Sequence, residues 1–193
     1  GDAYGGELEG TDELLKKLTE EKKPLKQMKG INEFLKKLTE EENKKQKPIT
    51  NENRKEFEKK LQLAKQGNAE AQKEVGIMYK RGLGTLRDGK KALEWLDLST
   101  RNGNSEAPYI ISYIFRNGVG EILKSNEEAN RWLKLSAEMG YAIAQSVIGG
   151  RYFTGDDGFI KNYVLAHMWK NIAIANGKSS DNVMLTVLER LMT

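Results

Sequence analysis

The amino-acid sequence predicts an all-α chain: a right-handed α-solenoid of antiparallel helix pairs. It has about three repeats of 36–37 residues, capping helices and a charged N-terminal arm. Three observations carry this. The only tryptophans, Trp95, Trp132 and Trp169, lie 37 residues apart, and an alanine stands three positions before each (Ala92, Ala129, Ala166). Glycines at Gly67, Gly103, Gly140 and Gly177 repeat at intervals of 36, 37 and 37 residues. Four, twelve and fifteen residues after the first three come Ala71, Ala107, Ala144; Tyr79, Phe115, Tyr152; and Gly82, Gly118, Gly155. A fixed period of this length marks stacked supersecondary units, none of which can bury its apolar face alone.

In chain order, the first 50 residues read as the arm. Residues 1–60 hold 15 Lys/Arg and 14 Asp/Glu but only Tyr4, Phe34 and Phe57 among 15 aromatics. So polar a segment buries little by itself, and is partly helical or disordered. It carries a duplication: Glu13 to Glu21 recurs twenty residues on as Glu33 to Glu41. Each copy has a narrow apolar stripe, Leu14, Leu15 and Leu18, then Phe34, Leu35 and Leu38. A helix this short needs a surface to lie on. Three readings stand: docking on the solenoid, binding a partner or a second copy of the chain, or mobility. Residues 51–193 form the solenoid. Residues 52–66, with Phe57, Leu61 and Ala64, read as the second helix of a decayed unit. The first helix of unit one runs from about Ala69 to Lys80, capped by Asn68 and ended at Gly82. Its inward stripe is Ala71, Val75, Met78 and Tyr79. Gly76, Ser112 and Gly149 put a small residue at one mid-helix position in every unit, which predicts close helix contact. Second helices start near Asp88, Ser125 and Asn162, and Ser125 with Glu128 forms a capping box. Residues 179–192, with Val183, Leu185, Val187, Leu188 and Leu191, form a closing amphipathic helix.

Composition narrows the chemistry. The 193 residues include no cysteine, one histidine and three prolines. Disulfides, zinc-thiolate sites, iron–sulfur clusters and cysteine nucleophiles are excluded, and a lone His167 excludes a two-histidine metal site. No metal or cofactor is expected. No apolar run is long enough to span a membrane. No signal-peptide pattern is visible, and the chain starts at Gly1 rather than Met, which leaves secretion open. The net charge is +4. Opposite signs alternate along the arm, as in Glu13, Lys16, Lys17, Glu20, Glu21 and Lys22, which is the pattern of a solvated helix. A phosphate-binding surface needs one sign on one face, so this pattern argues against a nucleic-acid partner.

The string from Gly67 through Gln72, Gly76, Tyr79, Gly82 and Gly84, followed by Asp88, Lys91, Ala92 and Trp95, resembles the Sel-one-like repeat, a branch of the tetratricopeptide superfamily. Gly140, Ala144 and Gln145 repeat it, and Val164 through Trp169 to Gly177 resembles the closing unit of bacterial members. The resemblance covers about residues 60–178. Unit two departs from it at Pro108, where Gln is usual, and at Ile114. The resemblance implies a non-enzymatic scaffold or adaptor that binds another protein. Family roles include envelope and secretion adaptors, host-interaction factors and immunity proteins that occlude toxic effectors. The partner would be an effector, an envelope component or the chain itself through its arm. An envelope setting favours the bacterial periplasm over the cytoplasm. The alternative is an envelope factor recognising glycan or peptidoglycan, with or without hydrolytic activity.

In related arrays the first helices line the concave face. Helical geometry puts Glu70, Lys73, Ile77, Lys80 and Arg81 outward in unit one. Glu106, Tyr109, Tyr113, Arg116 and Asn117 follow in unit two, and Ile143, Ser146, Gly150, Phe153 and Thr154 in unit three. From these, Lys73, Ile77, Lys80, Arg81, Tyr109, Tyr113, Arg116 and Phe153 are the expected protein-binding residues: large side chains flanked by cations make a hot spot. Catalytic candidates are weak. His167 lacks an evident carboxylate and nucleophile. Asp156 and Asp157 read either as a cation-binding or carboxylate pair or as a polar loop. The Gly-x-Gly loops have no preceding strand and no third glycine, so they are not dinucleotide fingerprints.

Overall fold

A computed structural model describes residues 49–178 and 182–192. The chain divides into two units, Gly1–Gln46 and Lys47–Thr193, and all described residues belong to the second. The arm's stripes lie outside them.

Eight helices follow in chain order: α1 Asn51–Lys65, α2 Ala69–Arg81, α3 Gly89–Arg101, α4 Ala107–Asn117, α5 Asn126–Glu138, α6 Ala142–Thr154, α7 Tyr163–Ala175 and α8 Asn182–Met192. No strand occurs among the described residues. Each helix packs chiefly on its neighbours in the chain, the strongest contacts being within the pairs α2–α3, α4–α5 and α6–α7. This is an all-α solenoid.

The repeated sequence positions each do one job. Asn68, Asp88, Ser125 and Asn162 are N-caps, and each side chain accepts a hydrogen bond from the backbone N–H three residues on. The capping box at Ser125 is only half formed. Its backbone N–H donates to the Phe115 carbonyl (2.8 Å), leaving Glu128 to face Arg131 at 3.2 Å. The same tie recurs as Asp88 N–H to Tyr79 O (3.0 Å) and Asn162 N–H to Tyr152 O (2.8 Å). So the aromatic of each first helix fixes, through its carbonyl, where the second helix starts.

The alanines before the tryptophans are fully buried, and each half-buried tryptophan packs on one of three successive core clusters. The two mid-helix glycines Gly76 and Gly149 lie in close contact with the paired helix. A Cβ at Gly76 would lie 2.6 Å from Leu96 Cγ, and one at Gly149 would lie 2.9 Å from Lys170 Cγ. By contrast, Gly67, Gly103, Gly140 and Gly177 have free space around them but φ between +89° and +97°, a conformation that glycine adopts without strain.

Two units carry a buried polar lock. Gln72 Nε2 donates to Ala64 O (3.0 Å), and Gln72 Oε1 accepts from Asn102 Nδ2 (2.8 Å). In unit three, Gln145 binds Ala137 O (2.9 Å) and Asn176 (2.9 Å). In unit two both members change together: Pro108 stands in the glutamine position and Met139 in the asparagine position. Pro108 begins α4, where a missing N–H costs little.

α1 supplies buried Phe57 and Ala64 to the first cluster, as a preceding second helix would. α8 packs on α7 and buries Leu188 completely, whereas Val187 and Leu191 are exposed, so its inward stripe is narrower than the sequence pattern implied.

Candidate protein-interaction face

The first helices α2, α4 and α6 are joined side by side by their own side chains, and this makes one continuous face. At the N-terminal ends, Lys73 Nζ on α2 meets Glu106 (2.6 Å), just before α4, and Glu70 (2.7 Å). Tyr109 of α4 and Tyr141, the residue before α6, meet with ring centroids 5.4 Å apart and planes tilted by 53°. In the middle, Lys80 Nζ lies 4.6 Å from the centroid of the Tyr113 ring. At the C-terminal ends, Arg116 of α4 pairs with Asp157 (2.6 Å), and Arg151 of α6 pairs with the same carboxylate.

The sequence-predicted residues therefore fall into two groups. Lys73 was expected to face outward but is buried, 9% exposed. Glu106 reaches over it from the next unit, which a single helix's periodicity does not reveal. Ile77 is half-buried and packs on the cluster around Leu96, Ile111 and Ala129. Tyr109 is spent on Tyr141 and the third cluster, and Phe153 on Tyr163 of its own unit (5.7 Å). Tyr113 is the aromatic of this set that remains open, at 51% exposed. Lys80 is half-buried, Arg81 exposed and Arg116 partly buried. Gly150 leaves open space, and Ser146 is buried against Lys170 (3.1 Å).

Electrostatics follow from these partners. Burial pulls the Lys73 ammonium down, but the hydrogen bonds and charges of Glu106 and Glu70 more than offset it, so its pKa is raised. Lys80 has no such help. Burial lowers its pKa, and the nearby Arg81 and Arg87 lower it further. Burial also lowers Arg116 and Arg151, the latter aided by the charge of Arg116. Tyr141 is pushed up to about 12, by burial first and then by the Glu106 carboxylate its hydroxyl faces.

In the third loop, Asp157 of the acidic pair has partners of its own. Asp157 adopts φ 53°, the one positive φ at a non-glycine among the described residues. Its side chain answers two arginines, its carbonyl accepts from Asn130 Nδ2, and Asn130 Oδ1 accepts from Arg116 (3.0 Å). Asp157 is thus a counter-ion between units. Sequence reasoning missed Arg87, Asn130, Tyr141 and Arg151 as members of this face: Arg87 and Tyr141 reach it from loops, Asn130 from the second helix α5, and Arg151 from α6 itself through the Asp157 carboxylate it shares with Arg116. His167 faces Glu189 of α8 at 3.6 Å and Asn171 at 3.1 Å, linking the closing helix to α7. Among the described residues no helix is long and apolar enough to cross a membrane, and no cluster of three or more His, Asp or Glu is placed to hold a metal.

Comparisons with known proteins agree with this architecture. A family model described as Sel1 repeat matches residues 69–104, 105–141 and 142–178. A solved Sel1 repeat protein from Oxalobacter formigenes is 27% identical, with a TM-score of 0.62 over 69% of this chain and 38% of that one. The protein c5321, a protective antigen present in uropathogenic Escherichia coli strains and displaying an SLR fold, is 25% identical. Its TM-score is 0.59 over 72% of this chain and 30% of that one. The chain spans about a third of the length of these two structures. Comparison with curated proteins finds no significant match.

Proposed function

The chain belongs to the Sel1 repeat family, and from that premise we propose that it acts without catalysis, as an adaptor or inhibitor that holds a partner protein on the α2–α4–α6 face. Sel1 repeats generally serve protein–protein interaction. The observation that carries the reading to this face is Tyr113. A large aromatic stands half exposed on the middle one of three aligned helices, with a lysine over its ring and Arg116 one helical turn on. Tyrosine and arginine in such a setting are the usual energetic centres of interfaces. The non-enzymatic part rests on Asp157. A hydrolase reading of the Asp156–Asp157 pair needs a carboxylate available to substrate, and this one is tied to two arginines. The finer role proposed is an immunity or inhibitor protein against a secreted effector, with the partner held on this face. Residues 1–50 are read as an arm separate from the array of residues 51–193.

The test is affinity capture with the full chain as bait, followed by mass spectrometry, and with Tyr113→Ala as the matched control. One stoichiometric partner that Tyr113→Ala loses supports the proposal. A partner retained at full yield by that variant places binding elsewhere. Cell-wall hydrolysis abolished by Asp156→Asn would overturn the non-enzymatic reading.

A further inference from the structure

Charge is distributed along the α2–α4–α6 face in a directed way. At the N-terminal ends of the helices every cation has its anion, with Lys73 held between Glu70 and Glu106. At the C-terminal ends the cations outnumber the anions. Lys80, Arg81 and Arg87 form no ion pair with any described carboxylate, although they lie close enough for the two arginines to disfavour charge on Lys80. Arg116 and Arg151 share the single carboxylate of Asp157, and Arg151 Nε is buried with no hydrogen-bond partner among the described residues. The strip is continuous. Lys80 covers Tyr113, and Tyr113 and Arg116 are one helical turn apart on α4. Arg116 and Arg151 meet at Asp157. Among the described residues, this half-buried cation over an aromatic ring, with like charges as its neighbours, has no anion. The helix C-termini add their own negative dipole ends there, which accounts for the cations but gives none of them a carboxylate.

We propose that this strip receives an extended acidic segment of the partner protein, with carboxylates on Lys80, Arg81 and Arg116 and an apolar or aromatic side chain on Tyr113. This deepens the protein-binding reading and rests on it. An acidic polypeptide fits better than a nucleic acid, because Glu70 and Glu106 close the same face at its other end and a regularly charged backbone would run onto them. The length is set by geometry. Helices pack about 10 Å apart and an extended chain rises about 3.3 Å per residue, so about six to eight residues reach across the strip.

The test uses the full chain and a fluorescent peptide of about eight residues with alternating glutamate and tyrosine, against the same peptide with glutamine for glutamate. The acidic peptide is expected to bind at least tenfold more tightly, and to weaken about tenfold between low and high salt. Arg81→Gln with Arg87→Gln, at exposed positions outside any described ion pair, is expected to lower its affinity at least fivefold, and Lys80→Gln likewise. Equal binding of both peptides, or affinity unchanged in these variants, overturns the proposal. If both peptides bind equally and Tyr113→Ala weakens both, the face binds protein by other chemistry and the broader reading stands. If neither binds and Tyr113→Ala retains the captured partner, both readings fall. Tighter binding of a single-stranded oligonucleotide than of the acidic peptide also overturns the proposal.

Discussion

Three mid-helix glycines differ in what surrounds them, and substituting each with alanine separates packing from helix propensity. Alanine is worth about 1 kcal/mol over glycine inside a helix, and that gain is common to Gly76, Gly149 and Gly150. At Gly150 nothing lies within 4 Å of the new methyl group, so the gain is realised in full. For a chain of this size that raises Tm by about 2–4 °C. At Gly76 the methyl would lie 2.6 Å from Leu96 Cγ and 3.1 Å from the Ala92 carbonyl. Leu96 is fully buried and cannot swing away, so it and the helix must give by about 1 Å. Overpacking of that kind costs about 1–3 kcal/mol, which cancels or exceeds the propensity gain. Gly149 is intermediate: its nearest side-chain neighbours are Lys170 methylenes at 2.9 Å and 3.1 Å, which can bend. The expected order of stability is Gly150→Ala above wild type, Gly149→Ala near it and Gly76→Ala at or below it, with roughly 2–12 °C between the extremes. Thermal and urea melts followed by far-ultraviolet circular dichroism measure it. Gly76→Ala as stabilising as Gly150→Ala would refute the claim that the small residue is held by the α2–α3 contact.

Further expectations follow from the same contacts. Gln72→Leu and Asn102→Ala are each expected to cost about 1–2 kcal/mol, and a double-mutant cycle should recover about 1 kcal/mol of coupling; additivity would deny the lock. Asp157→Gly relieves a left-handed backbone worth about 1 kcal/mol but removes the counter-ion of Arg116 and Arg151. The net expectation is a loss of about 1–2 kcal/mol that shrinks at high salt, read by urea melts. Tyr141 has its folded pKa raised from 10.0 to about 12, so its neutral form stabilises the fold. That contribution is complete below pH 10 and is lost as pH rises through about 12. Tyr141→Phe should therefore lose less stability than wild type over that window. A chain trimmed to residues 49–193 contains all three core clusters and is expected to melt as cooperatively as the full chain.

The repeat units, their caps and their glycines were legible because period and cap chemistry are local. Asn68, Asp88, Ser125 and Asn162 act within one turn of themselves, so sequence spacing suffices. What crosses between units was not legible. Lys73 looks outward on its own helix and is buried only because Glu106, 33 residues on, closes over it. Tyr109 reads as groove floor until Tyr141 is placed against it. The Glu128 half of the capping box failed because Phe115 O had already taken the Ser125 N–H. One inter-element feature did leave a trace: glutamine and asparagine vanish together in unit two, and pairing those two columns of the repeat would have exposed the lock.

That joint disappearance bears on how such a chain can be cut and rejoined. Gln72 and Asn102 stand at opposite ends of one repeat, as do Gln145 and Asn176. A recombination point between repeats therefore carries both halves of the lock, or neither, into the product. A point inside a repeat that joins unit two to unit one or three pairs either glutamine with methionine, which strands a buried amide, or proline with asparagine, whose exposed side chain loses its partner. The repeat boundary near residues 104–105 and 141–142 is thus a seam at which arrays can lengthen or shorten without a buried polar penalty. An array can then hold interior units whose joints are polar or wholly apolar, in any order.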